Sequence, residues 1–313
     1  MIRFLATRLL WGLVVLLTVA VVTFVLTYIV PADPARAIVG IRGSTEDVAR
    51  TRAALGLDQP FLVQLFGYLA RSVQGDLGHS YHHRVDVLPL ILSRFPATAQ
   101  LALAGISVSL LIGVPLGVLS ARRRGTGWDR AATVFSGVLV SVPAFWLGYM
   151  LLDLLAFRPL MAFDMAIFPL GGYEPLDVRY LALPALTIGV TGAAYYTRLT
   201  RSAMLDELHQ DYVRTARAKG LGNRRVTWRH AFRNSLPPLM TQLGLDLGFF
   251  LGGVVVVEQV FSWPGIGKLA IDSIGNTDIP LIMGTVLFGT FCIVAANLLV
   301  DIAIAILDPR IRY

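Results

Sequence analysis

The chain has 313 residues, 55% of them hydrophobic and only 15% charged, with a mean hydropathy of +0.66 and a net charge of +7. Soluble domains carry roughly 25% charged residues, and disordered, collagen-like or disulfide-built chains need low apolar content, periodic glycine or many cysteines. Those classes are excluded, which leaves a membrane protein. The single Cys292 lies in an apolar run and reads as a small buried hydrophobe.

A bilayer core requires about 20 mostly apolar residues per helix. Six stretches meet or approach this: Leu9 to Val30, Ala97 to Ala121, Ala131 to Phe157, Leu181 to Thr197, Leu236 to Val257 and Leu281 to Leu307. The fourth is short and rich in Gly and Thr, so six transmembrane helices are expected, with five as the fallback. Arg3 and Arg8 precede the first stretch, but its apolar part exceeds the signal-peptide core of about 7 to 15 residues. It reads as an uncleaved anchor.

The segment from Pro31 to Pro96 carries helical punctuation. Ser44 and Thr45 cap a helix reaching Leu55, with Glu46 and Asp47 in its first turn and Gly56 stopping it. Pro60 starts a second helix in which Phe61, Leu62, Leu65, Phe66, Leu69 and Val73 recur at helical spacing, opposite Gln64, Arg71 and Gln74. Such a stripe suits packing on neighbouring helices or lying in the headgroup layer. A platform for an extracytoplasmic partner is the functional alternative. His79, His82 and His83 lack a completing ligand set and the i, i+4 spacing of a helical zinc site, so no metal is expected.

Orientation follows from the bases in short loops. With both termini cytoplasmic, 17 of the 27 Lys and Arg fall on the inner side, nine of them between Arg198 and Arg233, and the short outer loops hold only Arg158, Arg179 and Lys268. The net positive charge thus lines a membrane surface rather than a soluble face for nucleic acid. Asp153, Asp246 and Asp301 lie within spans, where an ionised carboxylate suggests function. Asp246 is mid-span beside Gln242, and Asp153 is near the outer end of its span. No G-x-x-x-x-G-K-[ST], H-E-x-x-H or G-x-S-x-G occurs, so neither ATP hydrolysis, another catalytic residue nor a cofactor is expected.

The largest cytoplasmic segment, 198–235, contains Asp211-Tyr-Val-Arg-Thr-Ala-Arg-Ala-Lys-Gly-Leu-Gly222, which reads as a short helix ending at Gly220 or Gly222, followed by a second helix from Arg224 to Arg233 that leads into the membrane. Composition alone suits a basic loop on anionic lipid. Its residue order, however, resembles the EAA loop of binding-protein-dependent ABC importer permeases: Arg214, Thr215 and Ala216 stand where Glu-Ala-Ala would, and Gly220 falls on the Gly. Arg replaces the Glu, and His230-Ala-Phe-Arg233 stands where that family has Ile-x-Leu-Pro. Both departures resemble the peptide and nickel branch, as do Leu55-Gly-Leu-Asp-Gln-Pro60, Gly75-Asp-Leu-Gly78, Arg94-Phe-Pro-Ala-Thr98, Gly113-Val-Pro-Leu-Gly117, Glu258-Gln-Val-Phe-Ser-Trp-Pro-Gly-Ile-Gly267 and Leu307-Asp-Pro-Arg310.

The resemblance implies an all-α polytopic permease of the type I ABC importer fold in a prokaryotic cytoplasmic membrane. It divides the chain into an anchor helix over 1–30, an extracytoplasmic segment over 31–96 and a five-helix core over 97–313. It also implies a second homologous permease, two cytoplasmic ABC ATPase subunits and an extracytoplasmic solute-binding protein. Arg214, Thr215, Ala216, Arg217 and Gly220 are then the expected ATPase-coupling residues, and Gln242, Asp246 and Asp153 the candidates for the translocation path. The solute stays open among peptides of different length, nickel, haem and glutathione. The competing reading is a secondary transporter coupled to protons through Asp153, Asp246 or Asp301.

Overall fold

The computed structural model describes residues 2–29, 34–40, 43–54 and 56–307. Val30, Pro31, Leu55 and the tail carrying Arg310 and Arg312, with most of the Leu307-Asp-Pro-Arg310 motif, lie outside them. The described residues are mainly helical, in the order α1 (Ile2–Ile29), α2 (Pro34–Val39), α3 (Thr45–Ala54), α4 (Phe61–Val73), α5 (Val87–Arg122), α6 (Gly127–Ser141), α7 (Ala144–Leu152), α8 (Arg158–Phe163), α9 (Val178–Leu208), α10 (Asp211–Ala218), α11 (Asn223–Arg225), α12 (Phe232–Leu251), α13 (Val255–Val260), α14 (Ile266–Gly275) and α15 (Ile279–Leu307). Wide π turns join α7 to α8 (Asp153–Phe157) and α11 to α12 (Val226–Ala231).

Four helical stretches are long and apolar enough to cross a membrane: Ala6–Thr27, Val87–Arg122, Ala144–Phe163 and Ile279–Ala303. α9 and α12 are as long but more polar, because they carry Thr, Tyr, Gln and Asp. Two buried α9 threonines return their hydroxyl protons to their own helix, Thr187 to the Leu183 carbonyl at 2.9 Å and Thr197 to that of Ala193 at 2.7 Å. This satisfies the hydroxyl locally and leaves the methyl to pack.

The central pair is α5 against α9. Glycines bring the two backbones together, as small residues do between helices in lipid. A Cβ on Gly113 would stand 2.7 Å from the Ala193 carbonyl oxygen, and one on Gly117 would stand 2.7 Å from that of Thr197. The Gly113-Val-Pro-Leu-Gly117 motif is therefore a packing seam.

Three expected spans have different bounds. α5 starts at Val87, and Pro96 lies within it. The stretch from Ala131 to Phe157 is broken at Val142 and Pro143 into α6 and α7, because the residue before a proline is driven to extended backbone; Val142 has ψ 123°. The fifth ends at Leu251, where Gly253 turns the chain at φ +121° against the backbone of Gly267. Ahead of α5, Ser44 caps α3 by accepting from the Asp47 N–H at 3.1 Å and donating to its carboxylate at 2.7 Å. α4 buries Leu65 and Tyr68 against Phe24 of α1 and Met283 of α15, while Leu62, Phe66 and Val73 stay exposed.

At the end of the bundle where α5 begins, two buried carboxylates tie distant segments. Glu258 of α13 is fully buried; it accepts from the Thr98 hydroxyl at 2.8 Å and from the Lys268 N–H at 2.8 Å in the first turn of α14. The Thr98 oxygen takes the Ile266 N–H, and Trp263 donates to the Ala97 carbonyl. Asp278, also fully buried, accepts from the Ser80 hydroxyl and from the N–H groups of Tyr81 and His82. Burial, then the Asp278 charge, pushes the Tyr81 phenol up to about 12.

Candidate coupling and translocation sites

The second end of the bundle lies about 54 Å away along the 36 residues of α5. There α9 runs on to Leu208, so the first third of the expected loop 198–235 is a continuation of the helix. A three-way junction holds this end. Asp129, 5% exposed near the start of α6, receives the Arg201 guanidinium of α9 at 2.7 and 3.0 Å, the Ser120 hydroxyl of α5 at 2.6 Å and the Gly125 N–H at 2.8 Å. The Arg201 hydrogen bonds, ahead of the others, hold the Asp129 carboxyl well below its ordinary range.

α10 follows as two turns with one face in and one face out. Val213 and Ala216 are buried with Val226, flanked by Tyr212 and Leu221. Tyr212 donates to Glu207, and burial followed by that hydrogen bond pushes its phenol up to about 12. The helix stops in a Schellman turn: Leu221 N–H reaches the Ala216 carbonyl at 3.2 Å, Gly220 N–H reaches that of Arg217 at 2.9 Å, and Gly220 takes φ +79°. Nothing lies within 4 Å of a Cβ placed on Gly220. Arg214, Thr215, Arg217 and Gly220 are exposed, whereas Ala216 faces inward and secures the helix to its own loop. Arg214 makes one exposed contact, with Asp211 at 3.3 Å. The outcome is a short helix anchored on one face, with an open glycine corner and exposed guanidinium groups on the other.

The three aspartates expected within spans separate. Asp153 pairs with Arg158 at 2.8 Å along its own helical segment, exposed and apart from the others. Asp301 of α15 pairs with Arg8 of α1 at 3.1 Å. Asp246 and Gln242 come together: Gln242 donates to one carboxylate oxygen at 2.8 Å, and Tyr196 of α9 donates to the other at 2.7 Å. Tyr195 donates to the Gln242 carbonyl oxygen at 3.2 Å.

Sequence reasoning missed Tyr195, Tyr196, Asp129, Arg201, Glu258 and Asp278. Asp129 and Arg201 are 72 positions apart, and no spacing rule joins them. Glu258 had a signal, since a carboxylate directly after a long apolar run and ahead of Trp-Pro-Gly-Ile-Gly needs a buried partner. His79 contacts Asp86 at 3.0 Å, and the rings of His82 and His83 meet edge to face beside a cleft of about 530 Å³ lined by Arg94, Lys268 and Asp272.

Residues 113–313 match the model of the binding-protein-dependent transport system inner membrane component, and residues 1–102 match that of its N-terminal region. The chain belongs to this family of inner-membrane transport components. Its relatives include the oligopeptide transport system permease protein AppB of Bacillus subtilis (strain 168), 38% identical over 322 residues, and the glutathione transport system permease protein GsiC of Salmonella choleraesuis (strain SC-B67), 38% identical over 313 residues. Both alignments cover 100% of each chain. In structure the chain is similar to one from the inward-facing MetNI methionine ABC transporter, with a TM-score of 0.56 and 17% identity over 70% of this chain and 96% of that one. The shared feature is the fold of an ABC transporter permease.

Proposed function

We propose that the chain is the permease subunit of an ATP-driven, binding-protein-dependent importer, most like those for peptides. It forms half of the translocation path and has the type I fold, with six spans and both termini in the cytoplasm. α9 and α12, too polar to count among the four most apolar helices, supply the fourth and fifth spans. A second homologous permease completes the path, and a solute-binding protein delivers cargo at the end held by Glu258 and Asp278, where residues 31–96 provide a platform. Residues 97–313 form the permease core. Two ATPase subunits grip the α10 loops.

The observation that carries this reading is α10 itself, whose buried residues anchor it to the loop while Arg214, Thr215, Arg217 and Gly220 are presented outward. ATP binding closes the ATPases, moves α10 and, through α9 and the Asp129–Arg201 junction, switches access to the path. The names of AppB and GsiC support a peptide-like cargo. Proton coupling is weakened because Asp153 and Asp301 are both occupied by arginines.

The test is Gly220→Trp. Space around Gly220 accommodates the indole, but φ +79° strains any side chain there, so Gly220→Ala, with the same strain and no bulk, is the control. Gly220→Trp is expected to block docking and lose the ATPases on purification, while Gly220→Ala keeps them. Normal co-purification of the ATPases with Gly220→Trp would defeat the coupling assignment. Uptake in vesicles that persists without ATPase subunits but collapses with the proton gradient would defeat the importer.

A further inference from the structure

The aspartate in the middle of α12 meets only neutral partners among the described residues. Its two hydrogen-bond donors, the Gln242 amide and the Tyr196 hydroxyl, are neutral, and so is Tyr195 behind them. Asp129, Asp153 and Asp301 each meet an arginine. No Lys, Arg or His among the described residues lies within ion-pair distance of Asp246.

Nor is the group enclosed. Asp246 is half-buried, and it is flanked by Tyr195 at 42% exposure on α9 and by Leu245 and Phe249, both exposed, on α12. α12 cannot rotate to hide it, because its opposite face is committed to α15: a Cβ on Gly244 would stand 2.5 Å from Val300, and one on Gly248 would stand 3.0 Å from the Ile293 Cα. A carboxylate with no base beside it is heavily penalised against acyl chains at mid-span, and a polar surrounding suits this face better. The carboxylate is also held in place. Tyr196 is 1% exposed and wedged against Gly113 of α5, so its hydroxyl fixes one oxygen while Gln242 fixes the other. A carboxylate has about four acceptor positions, and two of them remain for a ligand. The exposed Tyr195 ring adds a π face, which also favours a cation.

From this geometry we infer that Asp246, Gln242, Tyr195 and Tyr196 form a subsite in the translocation path for the α-ammonium group of the cargo. The inference rests on the importer reading and deepens it, since a free α-ammonium is common to peptides. Its three N–H donors match the two open acceptor positions and the tyrosine face, and the positive charge supplies what the cluster lacks. Asp246 acts here as a binding group and takes no part in ATP hydrolysis.

The experiment uses the full complex in vesicles, with the binding protein saturated in turn by a peptide and by its analogue lacking the α-amino group. In Asp246→Asn, uptake of the free-amine peptide is expected to fall by about tenfold or more, the scale of one charge-assisted hydrogen bond, while uptake of the analogue changes by less than about twofold. Asp246→Glu should restore the preference for the amine. Equal loss for both cargoes, or no change for either, would overturn the inference. So would loss of the second permease from purified Asp246→Asn complex, since Asp246 would then pair with a base of that subunit. A wild-type complex that imports neither cargo although ATPases and binding protein are bound would instead defeat the importer reading.

Discussion

The two ends of the bundle both carry motif residues, and they use them in opposite ways. At the end built on Glu258 and Asp278 the motif side chains point inward: a Cβ on Gly265 would stand 2.2 Å from the Glu258 carboxylate, so the glycine exists to let the acid reach α14. At the α10 end the basic and small residues are exposed, and Gly220 has open space around it. The same kind of signature, a charge beside glycines, marks an internal brace in one place and an exposed corner in the other, which we propose as the contact surface. What separates them is whether the polar atoms already have partners.

The largest expected effect comes from breaking the brace. Glu258→Ala leaves the Thr98 hydroxyl and the Lys268 N–H without their acceptor, each costing about 1–3 kcal/mol, and Gly265→Val displaces the carboxylate by contact. Both variants should lose monodisperse protein in detergent. Full recovery of either, at the wild-type melting temperature, would mean that the carboxylate is not a structural tie.

Next is the Asp129 junction. Asp129→Ala strands the Arg201 guanidinium, at a cost of about 3–5 kcal/mol for a buried pair broken from one side, read as a lower thermal midpoint. The pH dependence has a definite sign. The folded carboxyl is depressed below its ordinary value of 3.8, so its stabilisation is complete above that value and is lost as the pH falls below it. In Asp129→Ala this part of the acid sensitivity should be absent. An identical acid profile for variant and wild type would remove the junction from the account.

The smallest effect on stability belongs to the exposed face of α10. Arg214→Ala and Arg217→Ala should shift the melting temperature little, since surface changes fall within about 0.5 kcal/mol, while weakening ATPase binding strongly. A large loss of stability, or unchanged ATPase binding, would erase the contrast between the two ends.

The long apolar runs were legible because their length and composition refer only to the bilayer. α1 and α15 lie where the runs do, whereas α4 keeps only part of the expected stripe: Leu65, Phe61 and Leu69 pack inward with Tyr68, while Leu62, Phe66 and Val73 are exposed. The Gly220 turn was legible for a local reason, since a helix followed by a glycine ends in a left-handed residue. The inward turn of Ala216 was not, because it depends on Val226 arriving from across the loop. The break at Pro143 had a local signal that the apolar run obscured.

By itself, the sequence determined the membrane class, the concentration of positive charge in one loop and the family, through motifs taken in order. Each of these depends on composition or on neighbours along the chain. Only the tertiary structure decided which carboxylates are matched by arginines, which are sealed among hydroxyls and N–H groups, and that Asp246, half-buried on α12, meets neutral partners from α9 and its own helix. That distinction arises from pairings between helices tens of residues apart, and a charge is satisfied or unsatisfied only by what folding brings within hydrogen-bonding distance of it.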